Sequence, residues 1–127
     1  MLSVAADSLP LVSKVLAKGA AMFVVIYQWK LKPGSDAAFK KAWCQATQSI
    51  YEKRGSLGSQ LMQSNDGIYH AVARWPERDQ WVARSQPEPA DPQAMQTMGD
   101  LIEESFPPIE LKVTDDMLAL EPFSWAG

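Results

Sequence analysis

A single cysteine and a single histidine in 127 residues leave little room for two large classes of protein. Cys44 alone cannot build a disulfide framework within the chain, and Cys44 with His70 cannot build a Cys/His-rich metal cage. No apolar run approaches the length of a membrane span. No cluster of Lys and Arg stands out in a chain of formal charge -3 and pI near 5.1, so the electrostatic footprint of a nucleic-acid binder is missing. A phosphate loop, a serine nucleophile elbow, paired catalytic carboxylates and a metal motif are missing too. These absences favour a protein of the reducing cytoplasm, with neither a membrane nor nucleic acid as partner.

What is present is a heavy aromatic load. Five Trp are large apolar payloads that must sit in a core, an interface or a pocket, and the length suits one domain with a real core. The first 21 residues differ from the rest. Leu9, Val12, Val15 and Leu16 recur at helical spacing opposite Lys14 and Lys18, which predicts a short helix within Leu9 to Lys18. With Asp7 early and the lysines late, the charges reverse the order of a secretory leader. Residues 1–21 are therefore expected to be an extension, with 22–118 the domain and 119–127 a tail.

From Phe23 the run FVVIYQWKLK, ending at Pro33-Gly34, predicts a first strand. Phe23, Val25, Tyr27, Trp29 and Leu31 share one face, yet Val24 and Ile26 on the other are also apolar. Ser35 or Asp36 can cap a helix in which Phe39, Trp43, Ala46 and Ile50 recur until Arg54-Gly55. Cys44 lies beside that stripe and is expected in the core. Leu57 to Ser64 and Ile68 to Trp75 predict a hairpin turning through Asn65-Asp66-Gly67. A short helix through Glu77, Trp81 and Arg84 follows Pro76, and then come Pro87, Pro89 and Pro92, either a lid or a rigid connector. Asp91-Pro92 opens a further helix, with Met95, Met98, Ile102 and Phe106 at helical spacing. Ile109, Leu111 and Val113 then alternate with polar residues in a last strand.

The order is β-α-β-β-α-β, the ferredoxin-like α+β arrangement with an antiparallel four-stranded sheet. Helices cover only one face of such a sheet. The apolar character of Val24, Ile26 and Val72 on the other predicts a second subunit there, and the aromatic tail Phe123-Ser124-Trp125 points the same way. A homodimer with facing sheets is expected.

Over Met22 to Leu118 the chain resembles the antibiotic biosynthesis monooxygenase family. The likeness is carried by Lys32-Pro33-Gly34 closing the first strand, by GSLGSQLMQSNDGIYHAVARW at Gly55 to Trp75, and by the short helix that follows. The resemblance implies a dimeric α+β barrel. It also implies an activity from a set that includes metal- and flavin-free oxidation of phenols, anthrones or quinols by oxygen, and haem breakdown. In the cofactor-free case the substrate loses a proton and its anion reduces oxygen, so the protein supplies an apolar cavity, a proton acceptor and a polar group for the oxyanion. Tyr27, Trp29, Tyr69, Trp75 and Trp81 are the rings available to build that cavity and bind a small apolar or aromatic molecule.

Two positions depart from the family pattern. The asparagine that precedes the tryptophan in several catalytic members has no counterpart in Ile68 to Trp75, and Arg84 stands where a haem-ligating histidine is often found. Little or no haem binding is expected, and no cofactor. Trp75 is either a site residue or packing at the base of the sheet. His70, the sole imidazole, is either a general base or an interface residue. Arg74 points to the face opposite Trp75, where a salt bridge between subunits is the plainer role. Arg84 either holds an acidic or phenolate oxygen or ends a helix in solvent. Met95 and Met98 form a helix's apolar face or line a pocket. The leading expectation is cofactor-independent oxidation of a small quinol-like aromatic. The alternative is a non-catalytic binding module of the same fold.

Overall fold

Nine branched, aromatic and apolar-rich residues, FVVIYQWKL, form β1 (Phe23–Leu31), and the rest of this computed structural model, which describes residues 22–118, is arranged around that strand. The expected N-terminal helix and the aromatic tail lie outside the described residues. The helix α1 (Asp36–Arg54) ends on Gly55 at φ 81°, the left-handed closing position. A side chain at Gly55 would also meet the amide end of Gln80 at 2.7 Å, which can swing aside, so it is the backbone conformation that favours glycine there. The hairpin pairs β2 (Ser59–Gln63) with β3 (Tyr69–Trp75), and β3 pairs antiparallel with β1 from Phe23↔Trp75 to Trp29↔Tyr69. Its turn is held by Ser64 and Asp66, whose side chains bond to each other and to the Ile68 backbone.

The helices α2 (Arg78–Val82) and α3 (Pro92–Leu101) follow. Asp91 caps α3, accepting from the Ala94 amide at 3.0 Å, with Pro92 in the first turn. The expected continuation of this helix to Phe106 is corrected: Ile102–Ser105 is a strand, β4, paired with Trp29–Leu31. Met98, Ile102 and Phe106 keep helical spacing, but the backbone groups at the end of β1 need partners, and Ile102 onward supplies them. Phe106 still donates its amide to the Gln28 carbonyl at 3.0 Å. Pro107 and Pro108 have no amide hydrogen, and the edge resumes as β5 (Ile109–Lys112) against Phe23–Ile26. The expected last strand thus occupies its place as half of a split edge, and the sheet reads β2-β3-β1 with β4 and β5 sharing the outer side of β1.

Alternation divides the sheet cleanly. Phe23, Val25, Tyr27 and Trp29 of β1 and Tyr69, Ala71, Ala73 and Trp75 of β3 face the helices. They form two core clusters, one around Trp29, Phe39, Tyr69 and Met98 and one around Phe23, Val25, Trp75 and Trp81. The other face carries Val24, Ile26, Met62, Val72, Ile109 and Leu111 with His70 and Arg74. Cys44 is exposed, contrary to expectation. The buried residues of α1 are Phe39, Ala42 and Ala46, and Cys44 falls off that line. No helix among the described residues is long and apolar enough to cross a membrane.

Candidate functional site

Between the two core clusters the packing does not close. A cavity of about 120 Å³ remains between sheet and helices, lined by Tyr27, Trp29, Ala71, Ala73 and Trp75 from the sheet and by Trp43, Ala46, Thr47 and Ile50 from α1. Ser56, Ser59, Arg84, Met95 and Met98 complete the wall. The local cause is side-chain size. Ala46, Ala71, Ala73, Ser56 and Ser59 stand at inward positions where branched or aromatic residues would fill the space. Around them the walls are flat rings, with Tyr27 and Trp29 stacked at 5.5 Å and only 9° apart in plane.

Polar groups enter this apolar chamber at few points. Trp75, 2 % exposed, has an indole N–H that finds no acceptor among the described residues, an uncommon state for a buried donor. The half-buried Arg84 lies over the Trp81 ring at 4.5 Å and donates to the Trp81 carbonyl at 2.9 Å. Trp81 in turn donates its indole N–H to the Tyr27 hydroxyl at 2.7 Å. Tyr27, Trp81 and Arg84 are thus one connected unit along the cavity wall.

The proline-rich segment after α2 is fastened from the end of α1. Arg54 donates to the Arg84 carbonyl at 2.9 Å and to the Glu88 carbonyl at 2.7 Å, and Lys53 donates to the Ala90 carbonyl at 3.2 Å. Of the two readings of this segment, these bonds favour the rigid connector. They also fix the backbone from which Arg84 projects.

Four of the expected site residues therefore meet at the cavity: Tyr27, Trp29, Trp75 and Arg84. Trp81 supports two of them from behind. Tyr69 is directed elsewhere: it packs on Phe39 and donates to Asp36 Oδ2 at 2.7 Å. That bond, with burial and the Asp36 charge, holds its hydroxyl above the ordinary tyrosine value. His70 is on the far face of the sheet, opposite Gln28 and Met62, with Nδ1 3.2 Å from the Ile68 carbonyl. The expectation that His70 acts with Trp75 meets a parity obstacle: five residues apart on one strand, they point to opposite faces. Arg74 shares the His70 face and contacts Met22 Sδ at 3.7 Å.

Trp43 and Ile50 were legible in the sequence only as a packing stripe, and Thr47, Ser56 and Ser59 not at all. The available signal was the small residues on inward strand positions. The cavity wall contains no Asp, Glu or His. Among the described residues no group of three or more His, Cys, Asp and Glu side chains comes together to hold a metal. Haem does not fit either, since the cavity is far smaller than a porphyrin and offers no imidazole.

The fold is that of several solved structures. A protein provisionally named antibiotic biosynthesis monooxygenase from Chloroflexus aurantiacus J-10-fl superposes with a TM-score of 0.62 at 18% identity, over 75% of this chain and 95% of that one. A similarly named protein from Nitrosomonas europaea gives 0.59 at 19% identity, over 73% and 88%. SnoaB, a cofactor-independent oxygenase from Streptomyces nogalater, gives 0.64 at 15% identity, over 77% and 98%. The chain therefore has the ferredoxin-like α+β fold of proteins that carry the antibiotic biosynthesis monooxygenase name. No family model matches the sequence, and no curated protein matches it.

Proposed function

We propose that this protein binds a small phenol or quinol in the cavity under Trp75 and promotes its oxidation by molecular oxygen without a cofactor. The observation that carries the proposal is the cavity: walled by aromatic rings, predominantly apolar, and with the half-buried Arg84 in its wall. The shared fold with SnoaB agrees with it. With no carboxylate or imidazole in the wall, the protein's contribution is to stabilise the substrate oxyanion, so that the proton leaves to water. The bound anion of an electron-rich phenol can then give one electron to oxygen, and the radical pair can join at the carbon para to the oxyanion where that carbon carries hydrogen. Loss of water leaves the quinone, with one oxygen atom in the product and one in water, and both hydrogens of that water come from the substrate. A 1,4-quinol instead passes its second electron and proton to the superoxide and leaves as the quinone with hydrogen peroxide.

The missing base is also the specific observation that favours the second reading, a module that binds such a molecule and leaves it unchanged. Oxygen uptake by an electrode, with quinols and methoxyphenols as substrates, separates the two. Uptake above autoxidation that is lost in Trp75→Ala supports the enzyme. Saturable binding with no uptake leaves the binder.

The sheet's other face supports a homodimer. Met62, Ile109 and Leu111 are each more than 40% exposed there, beside the half-buried Ile26 and Val72, whereas Val24, expected to need a partner's cover, is already buried within the chain. A second copy would cover this apolar surface.

A further inference from the structure

We propose that Met95 is the entrance residue of the cavity and a redox switch on it: peroxide converts the Met95 thioether to the sulfoxide, and the sulfoxide closes the cavity to apolar molecules. The proposal takes from the reading above only that the cavity is a binding chamber. It concerns access to that chamber and not the reaction inside it.

Position comes first. Among the described residues of the cavity wall Met95 alone is exposed, at 40%, while Met98, three residues further along α3 and in the same wall, is 5% exposed. A side chain that borders both the chamber and the solvent stands where molecules pass between them. The backbone beneath it is held. The Met95 amide donates to the Asp91 carbonyl at 3.0 Å, and Lys53 donates to the Ala90 carbonyl just before the helix at 3.2 Å. Passage is therefore governed by the Met95 side chain, which is unbranched and has three rotatable bonds with which to swing aside.

The chemistry follows from the sulfur. Exposure puts the Met95 thioether in reach of dissolved oxidants, and burial keeps the Met98 thioether from them. Hydrogen peroxide delivers one oxygen atom to the sulfur: an S–O bond forms, the O–O bond breaks, the sulfur loses two electrons, and the rest of the peroxide leaves as water. The quinol branch of the reaction proposed above releases that same oxidant inside the chamber, where Met95 stands on its way out. The product is polar where the thioether was apolar. An apolar molecule entering past it would strip water from the S=O group and offer no hydrogen bond in return, so oxidation turns a yielding apolar entrance into a hydrated one.

The test uses the full chain, with fluorobenzene as the probe and its binding read by fluorine NMR and calorimetry before and after treatment with hydrogen peroxide. Peptide mass spectrometry shows which methionines have gained oxygen. Met95 should gain it and Met98 should not, and the treated protein should bind fluorobenzene more weakly by about tenfold or more. Met62 and Met117 are also exposed but lie outside the cavity wall. Met95→Leu should therefore keep its affinity through the treatment, whereas Met62→Leu should lose affinity as the wild type does. Methionine sulfoxide reductase should restore binding and dithiothreitol should not, which separates Met95 from the exposed Cys44. Met95→Gln, polar and of similar length, should weaken binding with no oxidant present, and the thermal midpoint of each protein checks that it is folded. No binding of fluorobenzene to the untreated protein, Met95 left unoxidised beside oxidised Met62, or oxidised Met95 with unchanged affinity would each overturn the switch. Loss of binding in treated Met95→Leu, or Met95→Gln binding as tightly as Met95→Leu, would overturn it as well. Fluorobenzene has no hydroxyl to ionise and is not a substrate of the proposed oxidation, so these outcomes stand apart from the oxygen-uptake result.

Discussion

Replacing Trp75 with phenylalanine should change stability surprisingly little for so deeply buried a residue, and Trp81→Phe should change it more. Removing a whole buried aromatic side chain costs about 3–5 kcal/mol, so trimming indole to phenyl costs about 1–2 kcal/mol in lost burial and added void. For Trp75 the trim also deletes an N–H that has no acceptor among the described residues, which relieves a penalty of about 1–3 kcal/mol. The two effects nearly cancel, leaving a net change within about 1 kcal/mol. Trp81 is comparably buried at 7% exposed, but its N–H is bonded to the Tyr27 hydroxyl at 2.7 Å. There the trim loses burial and about 1 kcal/mol of hydrogen bond together, with a further fraction from the weaker ring under Arg84. The expected gap between the variants is about 2 kcal/mol, or roughly 8–16 °C in thermal midpoint for a domain near 100 residues. Urea titration and thermal melting of both proteins, without ligand, measure it. Equal losses in the two variants, or a larger loss for Trp75→Phe, would show that the Trp75 N–H is satisfied.

Two further outcomes are expected. Light scattering at micromolar concentration should give the mass of a dimer, and Val72→Asp should shift it toward the monomer by placing a charge in the apolar face; a monomeric wild type would sink the dimer. Stoichiometric haem should produce no sharp Soret shift, because the cavity lacks both the room and an imidazole; a sharp shift would direct attention to His70 on the open face.

Most of the fold was legible because local signals and long-range needs agreed. Gly55 closes α1 where a left-handed residue was expected, Asp91-Pro92 starts α3, and the alternation in β1 and β3 gives each strand its inner face. The failure at Ile102 arose where they conflicted. Its spacing from Met98 fits a helix, and its branched side chain fits a strand, so sequence period alone left the segment undecided. The unpaired end of β1 decided it, and that is a demand visible only once β1 and β3 are side by side. Cys44 shows the narrower error of treating a neighbour of an apolar stripe as part of it.

The site was half legible for a related reason. Rings that fill a core and rings that wall a cavity obey the same periodicity, so Trp43 and Ile50 could not be told from packing residues. What separates the two cases is the volume of the residues opposite them, and Ala46, Ala71 and Ala73 are small where the rings are large. Strand parity supplies the other half. It places Trp75 in the cavity and His70 outside it, and so removes the chain's sole imidazole from the cavity. In the proposed reaction a substrate held there gives up its proton to water, drawn by the pull of Arg84 on its anion. That restricts the chemistry to molecules acidic enough to ionise under such a pull: electron-rich phenols and enols fall within that range, and unactivated hydrocarbons fall outside it.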